Sequence, residues 1–203
     1  MTFRSLYPDV AIPEVSLPAF TLERADARGD KPALIDGPSG RAITYRQLAN
    51  LVARAATGLA GRGFTKGERV ALYSPNLPEY AVAFHAVASL GGVLTTVNPL
   101  YTAGELAKQL SDSGARFLVT VPAFLAAARE AAAQSTVEEI FVFGEADGAT
   151  PFGTHPLLFL LSCAPASPPE VPGPQARPGR RTLRVEPVGS RVCRRAGSRT
   201  HSK

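Results

Sequence analysis

Cysteine is scarce in this chain of 203 residues, and its placement excludes one class of site. Both cysteines, Cys163 and Cys193, lie in the last quarter of the chain, with no Cys-x-x-Cys or Cys/His pair around them. Zinc modules space their ligands in such pairs. The sequence therefore argues against a zinc site, and the first 152 residues have no cysteine chemistry.

Long apolar runs and a secretion signal are also absent. The longest weakly polar run, residues 81–97, contains His85 and two glycines. It is shorter than the roughly 20 apolar residues that a membrane-spanning helix needs. The N-terminus lacks the basic and then apolar pattern of a signal peptide. We therefore expect a cytoplasmic protein without stable membrane insertion.

Excess basic charge is missing from most of the chain. Up to residue 152 there are 13 Lys+Arg and 15 Asp+Glu, whereas residues 153–203 hold 9 and 2. The formal net charge of +5 therefore comes from the tail alone. We do not expect the whole protein to bind nucleic acid.

Catalytic motifs are lacking as well. No strand in the first 152 residues leads into Gly-x-Gly-x-x-Gly or Gly-Lys-Ser/Thr, which cradle phosphates. The glycines of residues 58–63 stand at a helix end, and two prolines in residues 74–79 remove N–H donors. His85 lies in an apolar helix, which is typical of a packed residue. The sequence therefore predicts no catalytic, cofactor-binding or metal-binding residue.

What the chain does contain is a regular alternation of strands and helices. Short β-rich apolar runs at residues 69–74, 92–97, 116–121 and 139–144 start about 23 residues apart. Helical patterns at 78–90, 103–113 and 122–134 separate them. This order predicts an α/β fold of right-handed βαβ units. Because the strands are continuously apolar, we expect a mostly parallel sheet that is covered by helices on both faces.

The preceding residues predict smaller elements. Residues 1–20 contain three spaced prolines after residue 7 and indicate an extended lead-in. A helix is expected over 21–29 with Thr21 as its N-cap, followed by a hairpin around the turn at 37–40. Thr44 and Gln47 form a capping-box pattern that starts a helix ending near Gly61 and Gly63.

The stretch "VNPLYTAGEL", residues 97–106, joins a strand to a helix. Asn98 is held extended by Pro99, and Thr102 with Glu105 forms a second capping-box pattern. The connection falls at the carboxyl end of a strand, where parallel α/β sheets bind ligands.

Residues 73–120 resemble the N-terminal part of the AMP-forming acyl-CoA synthetases, in the 4-coumarate–CoA ligase and luciferase-like branch. The motifs are Pro75-Asn76 with Glu79, Gly91-Gly92, "TTVNPLYTAGEL", and Lys108-Gln109. "ALIDGPSGRAITYRQL" (33–48) is similar to the early hairpin of that family. The resemblance covers roughly residues 8–152 and implies an incomplete N-terminal subdomain, here residues 21–152.

The resemblance implies a two-step reaction. A carboxylic acid reacts with Mg-ATP to give an acyl-adenylate, and CoA then displaces AMP. The intact family enzyme uses ATP, Mg and CoA, with phosphate-loop, Gly-Tyr-Gly-x-Thr-Glu and late lysine motifs that are absent here. We therefore expect a truncated chain that is inactive alone and takes no cofactor by itself.

The tail, residues 153–203, allows alternative interpretations. It holds eight of the 18 prolines, eight arginines and one lysine, so we expect irregular structure. One hypothesis is an out-of-frame translation of GC-rich coding sequence. Another is a basic arm for nucleic acid or an anionic membrane surface.

A further alternative makes the α/β part a non-catalytic interaction module. In the family, the N-terminal sheet packs against a second sheet. We therefore expect an exposed apolar sheet surface here, through which the chain could self-associate.

Overall fold

The chain forms two small sheets and six α-helices in the part that a computed structural model describes, which is Tyr7, residues 13–143 and the backbone of 154–156. The elements are α1 (Leu17–Leu22), α2 (Ala25–Arg28), β1 (Pro32–Ile35), β2 (Ala42–Thr44), α3 (Tyr45–Gly61), β3 (Arg69–Tyr73), α4 (Pro78–Ser89), β4 (Val93–Val97), α5 (Ala103–Ser113), β5 (Phe117–Thr120), a 3₁₀ turn (Pro122–Phe124), α6 (Leu125–Ala132), β6 (Glu139–Val142) and β7 (Thr154–Pro156).

The main sheet has the strand order β4-β3-β5-β6-β7, and every neighbouring pair in it is parallel. β1 and β2 form the separate antiparallel hairpin that the sequence predicts. The predicted α/β class and parallel sheet are therefore confirmed. The four strands and the first two helices predicted between residues 69 and 144 have bounds within about two residues of observed elements, whereas the predicted helix 122–134 is a 3₁₀ turn followed by α6, Leu125–Ala132.

Helices cover both faces of the main sheet. On one face α3 and α4 pack against Val70, Leu72 and Phe117. On the other face α5 and α6 pack against Ala71, Leu118 and Ile140. Because successive side chains of a strand point to opposite faces, a strand buried on both sides is continuously apolar, as predicted.

Two helices start at the predicted capping boxes. The Thr44 hydroxyl accepts a bond from Gln47 N at 3.2 Å, and Gln47 Oε1 accepts one from Thr44 N at 2.9 Å. Thr102 and Glu105 repeat the arrangement at α5. Each reciprocal pair satisfies backbone donors that have no partner within the helix, and this fixes the first residue of the helix.

The start of the first helix was predicted wrongly. The expected extended lead-in over residues 1–20 ends early, because α1 begins at Leu17 with Ser16 as its N-cap. Thr21 lies inside this helix and does not cap it. Pro18 belongs to the first helical turn, where a missing N–H costs nothing. A second short helix, α2, follows after Leu22.

The predicted tail boundary also needs a correction. Thr154–Pro156 form β7, which extends the sheet beside β6. The prediction of irregular structure from residue 153 onward is therefore wrong for these three residues. The rest of the predicted tail, and most of the predicted lead-in, lie outside the described residues.

The expected apolar sheet surface is not found in the described part of the chain, because both faces of the sheet lie under helices. The large exposed apolar side chains lie mainly elsewhere: on and before α1 (Val15, Leu17, Phe20), on the hairpin (Ile35), in the turn after β4 (Leu100, Tyr101), and at the edge of the sheet (Val93). Among the described helices, none has the length and apolar character that crossing a membrane requires.

Candidate functional site

The topology places a ligand crevice at the end of β3. The chain leaves β3 towards α4 on one face of the sheet, and it leaves the two neighbouring strands, β4 and β5, towards α5 and α6 on the other face. Connections that leave neighbouring strands on opposite faces open a crevice between their carboxyl ends. The turns after β3, β4 and β5 are therefore the candidate site.

The centre of this site is tied together by Tyr73, the last residue of β3. Its hydroxyl donates to the Tyr101 carbonyl at 2.9 Å, and its own carbonyl accepts from the buried Thr120 hydroxyl at 2.8 Å. Its ring lies 5.0 Å from the Phe124 ring. Burial raises the pKa of Tyr73, so the phenol keeps its proton and remains a donor. Tyr73 therefore holds the turn after β4 against the sheet.

The turn after β4 is built from its own polar groups. Asn98 Oδ1 accepts a bond from Leu100 N at 3.0 Å, which is the local turn that asparagine favours. Glu105 closes the turn onto α5. Hydrogen bonds from the Thr102 backbone and then its side chain lower the pKa of that carboxyl. Glu105 is thus an ionised helix cap and has no free proton to transfer.

The turn after β3 is fixed in a similar way. The Ser74 hydroxyl is buried and donates to the Pro75 carbonyl at 2.8 Å. At the start of α4, Glu79 pairs with Arg41 of the hairpin at 2.5 Å. The side chains of Ser74 and Glu79 therefore serve the scaffold.

These turns lack the groups that usually bind a nucleoside triphosphate. Phosphates bind where several backbone N–H groups converge, with lysine or arginine nearby. The turns at residues 74–77, 98–102 and 121 contain no glycine, lysine or arginine, and prolines stand at 75, 78, 99 and 122. Among the described residues, no three His, Cys, Asp or Glu side chains cluster to hold a metal ion. These three turns thus present neither a basic side chain nor a glycine-rich backbone to a phosphate.

A groove of about 390 Å³ lies at the opposite end of the sheet. It runs between the start of β4 and the end of α5, and its lining consists of Arg69, Val93, Thr95, Ser111, Asp112, Ser113 and Gly114. The amino ends of parallel strands are not where α/β proteins place their catalytic groups. We therefore do not assign this groove to the candidate site.

His85 is half-buried on α4, and its Nδ1 atom has no hydrogen-bond partner in the described part of the chain. Burial lowers the pKa of this imidazole. The unfolded chain then binds a proton at a higher pH than the folded chain does. Above the ordinary histidine pKa of about 6.5, His85 therefore takes nothing from the free energy of unfolding. As the pH falls below 6.5 and through the lower, folded-state pKa, protonation of the unfolded chain reduces that free energy.

We expect His85→Phe to flatten this pH dependence, because the variant has no proton to take up at that position. Urea unfolding measured from above pH 6.5 downward would show a smaller loss of stability in the variant than in the parent chain as the pH falls. The other two histidines are unchanged in both chains, so they cancel in the comparison. Equal slopes for the two proteins would contradict the prediction.

The sequence located this site but not its internal bonds. It predicted the strand-to-helix connection of residues 97–106 at a carboxyl end of the sheet, and the structure places it there. It did not predict that Tyr73 and Thr120 join the three turns. These bonds link residues 28 and 47 positions apart, so no local pattern indicates them.

Known proteins are similar to this chain in sequence and in fold. The family described as "AMP-binding enzyme" matches residues 22–156. The 4-coumarate–CoA ligase 5 of Oryza sativa subsp. japonica is 46% identical over 125 residues, which are 61% of this chain and 23% of that protein. The 4-coumarate–CoA ligase 3 of the same plant is 37% identical over 153 residues, or 75% and 28%.

A solved structure has a similar fold. The benzoate CoA ligase from Burkholderia xenovorans LB400 superposes with a TM-score of 0.66 at 24% identity, over 76% of this chain and 30% of that one. The fold is therefore the α/β fold of the adenylate-forming CoA ligases, in its N-terminal part. The chain belongs to the AMP-binding enzyme family, and it spans about a quarter of the length of the curated relatives it matches.

Proposed function

We propose that this chain is the N-terminal scaffold of an AMP-forming carboxylic acid–CoA ligase and that these 203 residues do not catalyse the reaction alone. The observation that carries the proposal is the site at the end of β3. The Tyr73 hydroxyl, the Thr120 hydroxyl and the Asn98 side chain all bond to other parts of the scaffold. They stabilise three turns at the crevice, and these turns contain no glycine, lysine or arginine to bind phosphate.

The whole enzyme would join a carboxylic acid to CoA through an acyl-adenylate, with ATP and Mg as its cofactors. Support for this comes from the relatives, whose names refer to 4-coumarate, benzoate and anthranilate. Three aryl acids among these names make an aryl acid the first substrate class to test, and fatty acids the second. The cytoplasm, which supplies ATP and CoA, is the compartment we propose.

The expected loss in reaction rate supports the proposed inactivity. Losing one preorganised donor that faces the developing charge costs roughly 10²–10³ in rate. The sequence contains neither a glycine-rich phosphate loop nor a Gly-Tyr-Gly-x-Thr-Glu motif. This chain therefore lacks the whole set of groups that stabilise the phosphates, and we expect its turnover to fall below detection.

ATP–pyrophosphate exchange tests this prediction. The purified chain is assayed with aryl and fatty acids, and a complete 4-coumarate–CoA ligase serves as the positive control. We expect exchange no greater than in a reaction without protein. Any exchange that depends on the added acid and on this chain would overturn the proposal of inactivity.

A chimera tests the scaffold part separately. The segment of rice 4-coumarate–CoA ligase 5 that aligns with this chain over 125 residues is replaced by the corresponding residues of this chain. If these residues form an equivalent scaffold, the chimera folds and retains ligase activity. A folded but inactive chimera would contradict the scaffold proposal while leaving the exchange result unaffected.

A further inference from the structure

Strand β6 has no hydrophobic alternation that would set its register on β5. Residues 140–143 read IFVF, so apolar side chains point to both sides of the strand. Helices cover both faces of the sheet here. A slip of one residue turns every side chain of a strand to the opposite face. In β6 such a slip brings no apolar side chain into water, so the hydrophobic effect alone selects the register weakly.

Two adjacent glutamates at the start of β6 supply the polar groups that the rest of the strand lacks. Glu138 Oε2 accepts a bond from Arg116 Nε at 2.7 Å, and Glu139 forms an ion pair with Arg62. The side chains of Arg62 and Glu139 are only 17% and 26% exposed. A charge in such a place is costly once its partner has moved away.

The pair between Glu139 and Arg62 depends on the observed register. Glu139 lies opposite Phe117 of β5, so both side chains face α3. Arg62 caps the carboxyl end of α3, and its guanidinium carbon lies 5.2 Å from the centre of the Phe141 ring on the same face. A slip of one residue turns Glu139 to the other face, and a slip of two moves it about 6.6 Å along the sheet. Either slip separates the carboxylate from Arg62.

Arg116 is held in place without help from β6. Its Nη1 donates to Glu68 Oε1 at 2.7 Å and to the Gly63 carbonyl at 3.1 Å, both in the connection between α3 and β3. Its backbone N donates to the Arg69 carbonyl at 3.0 Å. The guanidinium is therefore a fixed point at the amino end of the sheet, and Glu138 reaches it in the observed register.

We propose that these two ion pairs select the register of β6 and thereby position the carboxyl end of the sheet at the crevice. Phe143 N donates to the Thr120 carbonyl at 2.8 Å, and the Thr120 hydroxyl donates to the Tyr73 carbonyl. β7 in turn pairs with β6, Thr154 opposite Ile140. A slip of β6 breaks the bond to Thr120 and shifts β7 relative to β5. Charges at one end of the sheet thus place groups at the other end.

Glu138→Gln combined with Glu139→Gln in the complete chain tests the proposal. Glutamine has almost the same size as glutamate, and Arg116 keeps its other partners. We expect the ratio of observed to slipped register to fall about fivefold for each pair lost, the upper value for exposed ion pairs. Cross-strand nuclear Overhauser effects between β5 and β6 report the register directly. The parent should show one set of contacts, and the variant a second set for residues 139–143, displaced by one or two residues.

Two controls separate the register from a general loss of charge or stability. Glu23→Gln with Glu130→Gln removes the same charge from two exposed glutamates, at the end of α1 and on α6, and should show one set of contacts. Thr136→Val removes the bond from the Thr136 hydroxyl to the Ala115 carbonyl, 3.0 Å, just before β6. This uncharged change should lower the free energy of unfolding and keep the observed register.

Charge reversal decides the question if the glutamine variant does not fold. Arg62→Glu with Glu139→Arg restores an ion pair in the observed register, whereas Arg62→Glu alone does not. We expect the reversed pair to fold with the cross-strand contacts of the parent. Three results would overturn the proposal: a folded glutamine variant with the single set of contacts of the parent, a second set in the charge-matched control, or a reversed pair that folds no better than Arg62→Glu alone.

Discussion

Replacing Phe117 by alanine is expected to destabilise the protein by about 3–5 kcal/mol, the usual cost of removing a fully buried phenylalanine. Phe117 is completely buried in the central strand β5. Its ring lies 5.9 Å from the Phe64 ring and 5.7 Å from the Phe141 ring. Alanine would leave a cavity between α3 and the sheet. To fill it, neighbouring side chains from three elements would all have to move.

The measurement is urea unfolding followed by far-ultraviolet circular dichroism. Domains of this size are stable by only about 5–15 kcal/mol, so Phe117→Ala could unfold the chain entirely. Phe117→Leu provides a second point, with an expected loss of about 1–2 kcal/mol. Phe20→Ala removes the same atoms from a side chain that is 57% exposed and should change stability by less than about 0.5 kcal/mol. Equal losses at Phe117 and Phe20 would contradict the prediction.

Features that depend on neighbouring residues could be predicted from the sequence. Helix α5 has the predicted bounds, Ala103–Ser113, because Thr102 and Glu105 fix its start and Gly114 ends it in a left-handed conformation. Gly63, at a φ of 78°, follows the end of α3 for the same reason. A helix N-cap or a C-terminal glycine acts on residues within three or four positions, so the sequence alone shows every residue that takes part.

Contacts between distant residues could not be predicted. Arg116 donates to Glu68 and to Glu138, at 2.7 Å each, across 48 and 22 positions. The sequence shows an arginine and two glutamates among many charged residues. Only the strand order, which sets β5 between β3 and β6, brings them together at the amino end of the sheet.

The error at α1 has a different cause. The spacing of Pro13 and Pro18 predicts an extended segment, and Thr21 is the predicted cap of the helix after it. Proline is equally suited to the first helical turn, and here Ser16 provides the cap, with its hydroxyl 3.4 Å from Ala19 N. Pro18 therefore fits both an extended segment and the first turn of a helix, and the packing of α1 against α4 decides between the two.

Gly92→Ala is expected to destabilise the protein by about 1–3 kcal/mol, the typical cost of forcing an extra methyl group into a packed core. A Cβ atom at this position would lie 2.5 Å from Phe64 Cζ and 2.8 Å from Val87 Cγ1. The adjacent Gly91 has a φ of 70° and is a glycine for its backbone conformation. The Gly91-Gly92 pair therefore meets two separate requirements, one for a left-handed turn and one for space beneath Phe64.

Urea unfolding of two further variants separates space from backbone effects in this prediction. Gly104→Ala, in the first turn of α5, adds a methyl group with no atom within 4 Å, so it should stabilise the helix by about 0.5–1 kcal/mol. Phe64→Leu combined with Gly92→Ala should lose less stability than the two single losses added together, because the smaller side chain makes room for the methyl group. Strict additivity would show that the clash with Phe64 is not the reason that glycine is required at position 92.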